Sequence, residues 1–368
     1  MKTRINLKEH LSVMAIGIAG LCLSLMFWSC TSQKTLNPAQ QAYELRINGN
    51  ADSARVLLEQ ALAADSTNAA AWYELARTKH HIGLGNPRAL FENLENLHQT
   101  IARAVEYDPD NVTYSFYNGY VSYCVAFAYL MMGQPDAVLR VAEVVSAYED
   151  VLNLKPDYFE AKLYLVEVLG LPAKMGGDST QAEAYVQQLE AAGATYAAKA
   201  RELRLPEDAD RISFWQAVVE KNPGNADAIE QLGKAYLYQE NSEQGTKYLE
   251  EAMNADPERE LLILDLARYY LMAGMQDSAK RETVLPLAEK FIQKYLETDP
   301  ISPLKAYAYE LSAKAKFGLG DNETANALRE EAGAIDPNFS KAFGVPPAIL
   351  FEKPNEISHY HTYFFRPF

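Results

Sequence analysis

Cysteine is scarce in this chain: three in 368 residues, at Cys22, Cys30 and Cys124. The first two lie near the N-terminus. Cys124 stands alone in a strongly apolar stretch, so the body of the protein has no internal disulfide to form, and Cys124 reads as a small buried hydrophobe rather than a nucleophile. Positive charge is also in deficit. Thirty-four Lys and Arg face 49 Asp and Glu, a net charge of -15. Such a surface repels phosphate backbones, which excludes nucleic acid as the expected partner. Familiar catalytic signatures are missing: there is no G-x-x-x-x-G-K-[ST], H-E-x-x-H, G-x-S-x-G or C-x-x-C. No enzyme activity, cofactor or metal is expected. Gly176-Gly177-Asp178 reads as a tight connection in which Asp178 or Ser179 caps the next helix, not as a phosphate cradle. His359 and His361 flank Tyr360 at a chelating spacing, but without neighbouring ligands they read as surface or packing residues.

What is present starts at the N-terminus. Residues 1–10 are polar with three cations, residues 11–28 carry no charge, and Ser29-Cys30 then lead into a polar stretch. A basic segment followed by an apolar run reads as a secretory signal over residues 1–29. Cys30 directly after a small residue resembles the lipobox of bacterial lipoproteins, which implies that Cys30 becomes the lipidated first residue of the mature chain. Phe27 and Trp28 depart from that pattern, which favours Leu and a small residue. The run is also long enough to remain as an uncleaved membrane anchor. Either way the cations precede it, which places the body of the protein outside the cytoplasm. Lys2, Arg4, Lys8 and Glu9 make the first 29 residues net +2, so the remainder carries -17 against -15 for the whole chain.

Beyond a short linker (residues 30–37) the chain is punctuated by Asp-Pro turns or their relatives: Asp65-Ser66, Asp108-Pro109, Lys155-Pro156, Asn222-Pro223, Asp256-Pro257, Asp299-Pro300 and Asp336-Pro337. Proline cannot continue a helix interior but suits a turn or a first helical turn. Between the turns the apolar residues recur at helical spacing. In residues 226–257, Ile229, Leu232, Gly233 and Tyr236 share one face, and Gly245, Leu249 and Ala252 share a second after a polar break. Two such helices bury each other, with Gly233 and Ala252 allowing close approach.

These residues resemble the tetratricopeptide repeat, whose signature spans about 34 residues. Here it reads Ile229, Leu232, Gly233, Tyr236, Gly245, Leu249, Ala252 and Pro257. A second copy has Trp72, Leu75, Ala76, Gly83, Ala104 and Pro109, departing at Lys79. A third has Ala42, Leu45, Gly49, Ala54, Leu58 and Ala61, and a late one Tyr309, Ala313, Gly320, Ala325, Ala332 and Pro337. The resemblance implies an all-α solenoid of about eight helical hairpins over residues 38–339, with the fifth, residues 194–225, the weakest. Residues 83–101, 171–184 and 278–286 read as insertions. Residues 340–368, rich in proline and aromatics, form a non-helical tail expected to cap the last hairpin, or else to lie in the groove or dock on a membrane partner.

The resemblance also implies that one stripe on the first helix of each hairpin receives an extended peptide or a partner's helix. By spacing, these stripes hold Tyr73, Arg77, His80 and His81; Tyr123, Phe127 and Met131; Glu230, Lys234 and Tyr238; Leu264, Arg268 and Leu271; and Glu310, Lys314 and Phe317. The expected function is a non-enzymatic scaffold at the bacterial cell envelope, periplasm-facing and lipid-anchored to a membrane, most simply the outer one, that binds an envelope protein or peptide. The alternative is a solute-binding accessory lipoprotein of a transport system.

Overall fold

The computed structural model describes residues 37–342 and 350–351. The signal segment, Cys30, His359 and His361 lie outside the described residues. Among the described residues there are sixteen α-helices and no strand. They pair in sequence: α1 (Pro38–Ile47) with α2 (Ala51–Ala64), α3 (Ala69–Leu84) with α4 (Pro87–Tyr107), α5 (Val112–Met131) with α6 (Ala137–Leu154), and α7 (Phe159–Leu169) with α8 (Ser179–Ala192). After α9 (Ala194–Glu202) and α10 (Arg211–Lys221), the pairing resumes. Here α11 (Ala226–Tyr238) packs on α12 (Ser242–Ala255), α13 (Leu261–Gln276) on α14 (Arg281–Leu296), and α15 (Ser302–Gly318) on α16 (Asn322–Ile335). This is an α-solenoid of tetratricopeptide-like hairpins.

The helix starts follow from short polar side chains. Asn68, Asn86, Asn111, Asp178, Asp210, Asn225, Asn241 and Asp321 each accept a backbone N–H of the turn they open. Each such cap stabilises its helix by about 1 kcal/mol relative to alanine. Within the pairs, small residues set the spacing. A Cβ at Gly233 would meet the Leu249 side chain at 2.9 Å, and one at Gly245 would drive into Leu237.

The insertions have distinct outcomes. Residues 83–101 supply most of α4, which runs to 21 residues. Residues 171–184 form a 3-10 turn (Ala173–Met175), then the N-cap of α8, where the Asp178 carboxylate accepts Thr180 N–H at 2.9 Å and Gln181 N–H at 3.1 Å. Both glycines before it are required: Gly176 has φ +93°, and a Cβ on Gly177 would drive into the Leu171 carbonyl. Residues 278–286 lead into α14, with Pro286 inside that helix. The fifth pair is divided, because α9 packs back on α7 and α8 while α10 packs forward on α11. Trp215 of α10 is fully buried against Ala198, Ala228 and Leu232.

The array does not end in two separated faces. The C-terminus of α16 and the 3-10 turn Phe339–Lys341 lie against the first hairpins. The Asn338 amide donates to Asp52 of α2 at 3.1 Å, and the His81 ring of α3 meets Asp336 at 2.9 Å and Phe339 at 4.7 Å. Gly49 and Gly85 have no room for a Cβ, because the carbonyls of Ile335 and Asn338 sit there. Phe339 is fully buried, touching Tyr307 of α15 as well. Leu84 and Phe351 pack against both large apolar cores, one built on α3 to α8 and one on α11 to α15. The tail was expected to cover the last hairpin. The 3-10 turn Phe339–Lys341 that leads into it packs on α15 and α16 as well as on α3, Leu350 and Phe351 engage α1 and α3, and the rest of the tail lies outside the described residues.

Candidate functional site

The most highly organised polar site lies between α1 and α3. Helical spacing carries Tyr43 and Arg46 on α1 and Tyr73, Glu74 and Arg77 on α3 to the same side, and all five are buried. The Glu74 carboxylate accepts from Arg46 Nε at 2.7 Å and faces Arg77 Nε at 3.6 Å. Tyr73 accepts from Arg77 at 3.3 Å. Both guanidinium groups lie over the Tyr43 ring, at 5.7 and 5.5 Å from its centroid. Burial holds Arg46 below the usual guanidinium range, with Glu74 pulling the other way. For Arg77 burial acts downward too, but Tyr73 and Glu74 outweigh it and the net shift is upward.

Two cations share one carboxylate here, and both turn toward the chain's own C-terminal segment. Arg46 Nη1 and Arg77 Nη2 donate to the Leu350 carbonyl, the latter at 2.9 Å, and the Tyr43 hydroxyl donates to the Phe351 carbonyl at 2.9 Å. Leu350 is fully buried, and the Phe351 ring stands edge-on to Phe339 at 5.4 Å. Of the residues expected to face a partner, Tyr73, Arg77 and His81 are therefore covered by the chain itself. Arg46, Glu74 and Tyr43 belong to the site but were not singled out from the sequence. The only available signal was their register, since Arg46 follows the repeat residues Ala42 and Leu45.

The other expected residues separate into four groups. Tyr123 is buried, donates to Glu167 at 3.0 Å and meets Tyr164 edge-on. Glu230, Lys234 and Arg268 enter a charge network on α9, α11, α13 and the 3-10 turn Pro257–Arg259. Lys234 reaches Glu230 at 2.5 Å and Asp265 at 4.0 Å, and Arg268 reaches Asp265 at 3.7 Å. Arg259 pairs with Glu230, with Asp227 at 2.9 Å and with Asp256 at 3.1 Å, while Lys199 meets Asp227 at 3.0 Å. Burial raises Glu230, but Lys234 and Arg259 outweigh it and hold its carboxyl below the usual range. These residues tie successive hairpins together. Lys314, half-buried, pairs with Glu310 at 3.6 Å.

Phe127 and Tyr238 are exposed, and they have company. Met131 and Met132 at the end of α5, Met272 and Met275 toward the end of α13, and Phe317 and Leu319 at the end of α15 are exposed as well. All of these lie in the last turns of a hairpin's first helix or just past it. A Cβ at Gly318 would meet the Met275 sulfur at 3.3 Å, so the α13 and α15 segments adjoin.

Among the described residues no group of three His, Cys, Asp or Glu could hold a metal ion, and no helix is long and apolar enough to cross a membrane. Burial pushes the Cys124 thiol up to about 12, with Tyr120 acting in the opposite sense, which leaves it a poor nucleophile.

No protein-family model matches the chain, and no curated protein matches it. Solved structures similar to it include MamA (18% identity, 59% of this chain and 94% of that one, TM-score 0.26). YrrB, described as a TPR protein with an unusual peptide-binding site, is 19% identical over 61% of this chain and 88% of that one, TM-score 0.26. PilW, a type IV pilus biogenesis factor, is 16% identical over 70% of this chain and 92% of that one, TM-score 0.29. Superpositions this loose carry no weight here; the hairpin packing above defines the fold.

Proposed function

We propose that this chain is a non-enzymatic scaffold that binds a partner protein through the exposed ends of its hairpins. The observation that carries the reading is the recurrence of exposed Phe, Tyr and Met side chains in the last turns of α5, α11, α13 and α15. Aromatic rings bury large area at low entropic cost, and thioethers adapt to varied surfaces, so repeated exposure of both types at the helix ends suits partner binding better than solubility. A peptide or protein partner is the class proposed for this chain. Partner recovery from envelope extracts tests it. A chain carrying Tyr238→Ser, Met275→Ser and Phe317→Ser, three exposed positions, folds normally and loses the partner. Recovery of the same proteins by wild type and variant would rule the surface out.

The same proposal places the chain at the cell envelope, lipid-anchored through Cys30. In cells fed a radiolabelled fatty acid, wild type takes up label and Cys30→Ser does not. Equal labelling, or none in either, would remove the lipid anchor from the account.

A second reading, solute capture for a transporter, is favoured by one feature. A cavity of about 560 Å³ opens where α2 to α4 meet the closing turn, lined by Arg55, Lys79, Lys341, Glu59, Asn86 and Asn93 among others. It is locally cationic within an acidic protein, and its amides suit a polyhydroxylated anion. Thermal-shift screening with sugar acids and sugar phosphates would show stabilisation if this reading holds, and none if the cavity is structural.

A further inference from the structure

The site between α1 and α3 already contains peptide. Its donors contact two consecutive main-chain carbonyls, at Leu350 and Phe351, and its apolar wall takes one side chain, Leu350, in full. Every residue offers the same carbonyl, so the main-chain contacts supply affinity and the apolar wall around Leu350 supplies selectivity. The fit is also incomplete. Arg46 is fully buried, yet its Nη2 has no hydrogen-bond partner among the described residues. A buried donor left unmade penalises the occupied state, so an occupant that supplies one more acceptor binds the same groove more favourably.

The geometry points to Leu350-Phe351 as a built-in occupant of a peptide-binding groove, displaced when a segment of another protein, with a bulky apolar residue followed by an aromatic one, takes its place. Tethering gives the internal segment a local concentration in the millimolar range, so it outcompetes weak ligands and yields only to a better-matched one. The groove is thereby kept closed to adventitious peptides, and its opening is coupled to the closing turn through the Phe351–Phe339 contact. This inference rests on the scaffold reading and adds a second, self-regulated site to it.

The test uses the full mature chain and a fluorescently labelled synthetic peptide of residues 345–355, followed by anisotropy. Three chains are compared: wild type, Leu350→Ala/Phe351→Ala, and that double variant with Arg77→Gln added. The double variant weakens the internal occupant and leaves the groove intact, so it binds the peptide at least tenfold more tightly than wild type. Adding Arg77→Gln removes that gain, and a scrambled peptide fails to bind the double variant. Should Arg77→Gln not fold, as judged by circular dichroism and a cooperative melt, Tyr43→Phe takes its place. It deletes only the hydroxyl donor to the Phe351 carbonyl and lowers the affinity severalfold. Equal peptide affinity in wild type and double variant, or equal binding of the scrambled peptide, would overturn the inference. Either result leaves the scaffold reading standing, because partner recovery through Tyr238, Met275 and Phe317 is measured separately.

Discussion

Phe339→Ala is the most informative single change. The ring is fully buried where the two ends of the array meet, against His81 of α3, Tyr307 of α15 and Phe351. Its removal deletes a whole buried aromatic side chain and leaves a cavity, at a cost of about 3–5 kcal/mol. The distribution of that loss separates two architectures. In an open solenoid each repeat contacts only its neighbours, so damage after the last hairpin loosens α15 and α16 and fades with distance along the array. Here Phe339 also contacts the first hairpins, so amide protection in α1 and α3 falls together with that in α15 and α16. Native-state hydrogen exchange, read by peptide mass spectrometry, resolves the two ends. Faster exchange confined to α15 and α16, with α1 and α3 unchanged, would refute the closed arrangement.

Acid should weaken the protein before its carboxylates titrate. Burial holds His80 down to about 3, with His81 and Arg46 adding to the effect, and burial lowers His81 despite its bond to Asp336. The unfolded chain takes up protons near pH 6.5 and the folded chain does not, so stability falls as pH drops through 6.5; between pH 7 and 5 His80 alone accounts for about 2 kcal/mol. His80 faces Tyr117 and Tyr120, and His81 faces Asp336 and Phe339. Chemical denaturation at several pH values measures the slope, and a flat profile from 7 to 5.5 contradicts the buried neutral histidines. Glu230→Ala strips the shared partner from Lys234 and Arg259 and costs about 3–5 kcal/mol, because it leaves buried cations undercompensated. A loss below about 1 kcal/mol in the same assay would show that the network is solvent-screened.

The hairpin array was legible in the sequence because its determinants are local. Small residues such as Gly233 and Gly245 and the Asp-Pro punctuation act within one repeat, and they recur along the array. Asp178 could be read as a cap because the glycines before it and the helical pattern after it are adjacent in the chain. Closure was not legible. Asp52 and Asn338, or His81 and Asp336, are separated by more than 250 residues, and no periodicity relates them. The expectation of a free concave stripe failed at Tyr73, Arg77 and His81 for that reason: helical spacing gives the face a residue occupies, not whether another part of the chain covers it. Glu230 and Lys234 pair with each other and with Arg259 and Asp265 of the next hairpin, and Arg268 faces Asp265 on its own helix. Toward the ends of the first helices, at Phe127, Met131, Tyr238 and Phe317, residues of the anticipated stripes reach solvent.

A cysteine pair at positions 52 and 338, Asp52→Cys with Asn338→Cys in a Cys30→Ser, Cys124→Ser background, tests the central claim most directly. The Asp52 carboxylate and the Asn338 amide are 3.1 Å apart, within the reach of a short, reducible bifunctional crosslinker. Closure predicts rapid intramolecular crosslinking in dilute solution, seen as a reducible mobility shift of the monomer, and none for a control pair at positions 52 and 227. Absence of the monomer crosslink, or products that are intermolecular only, would contradict it.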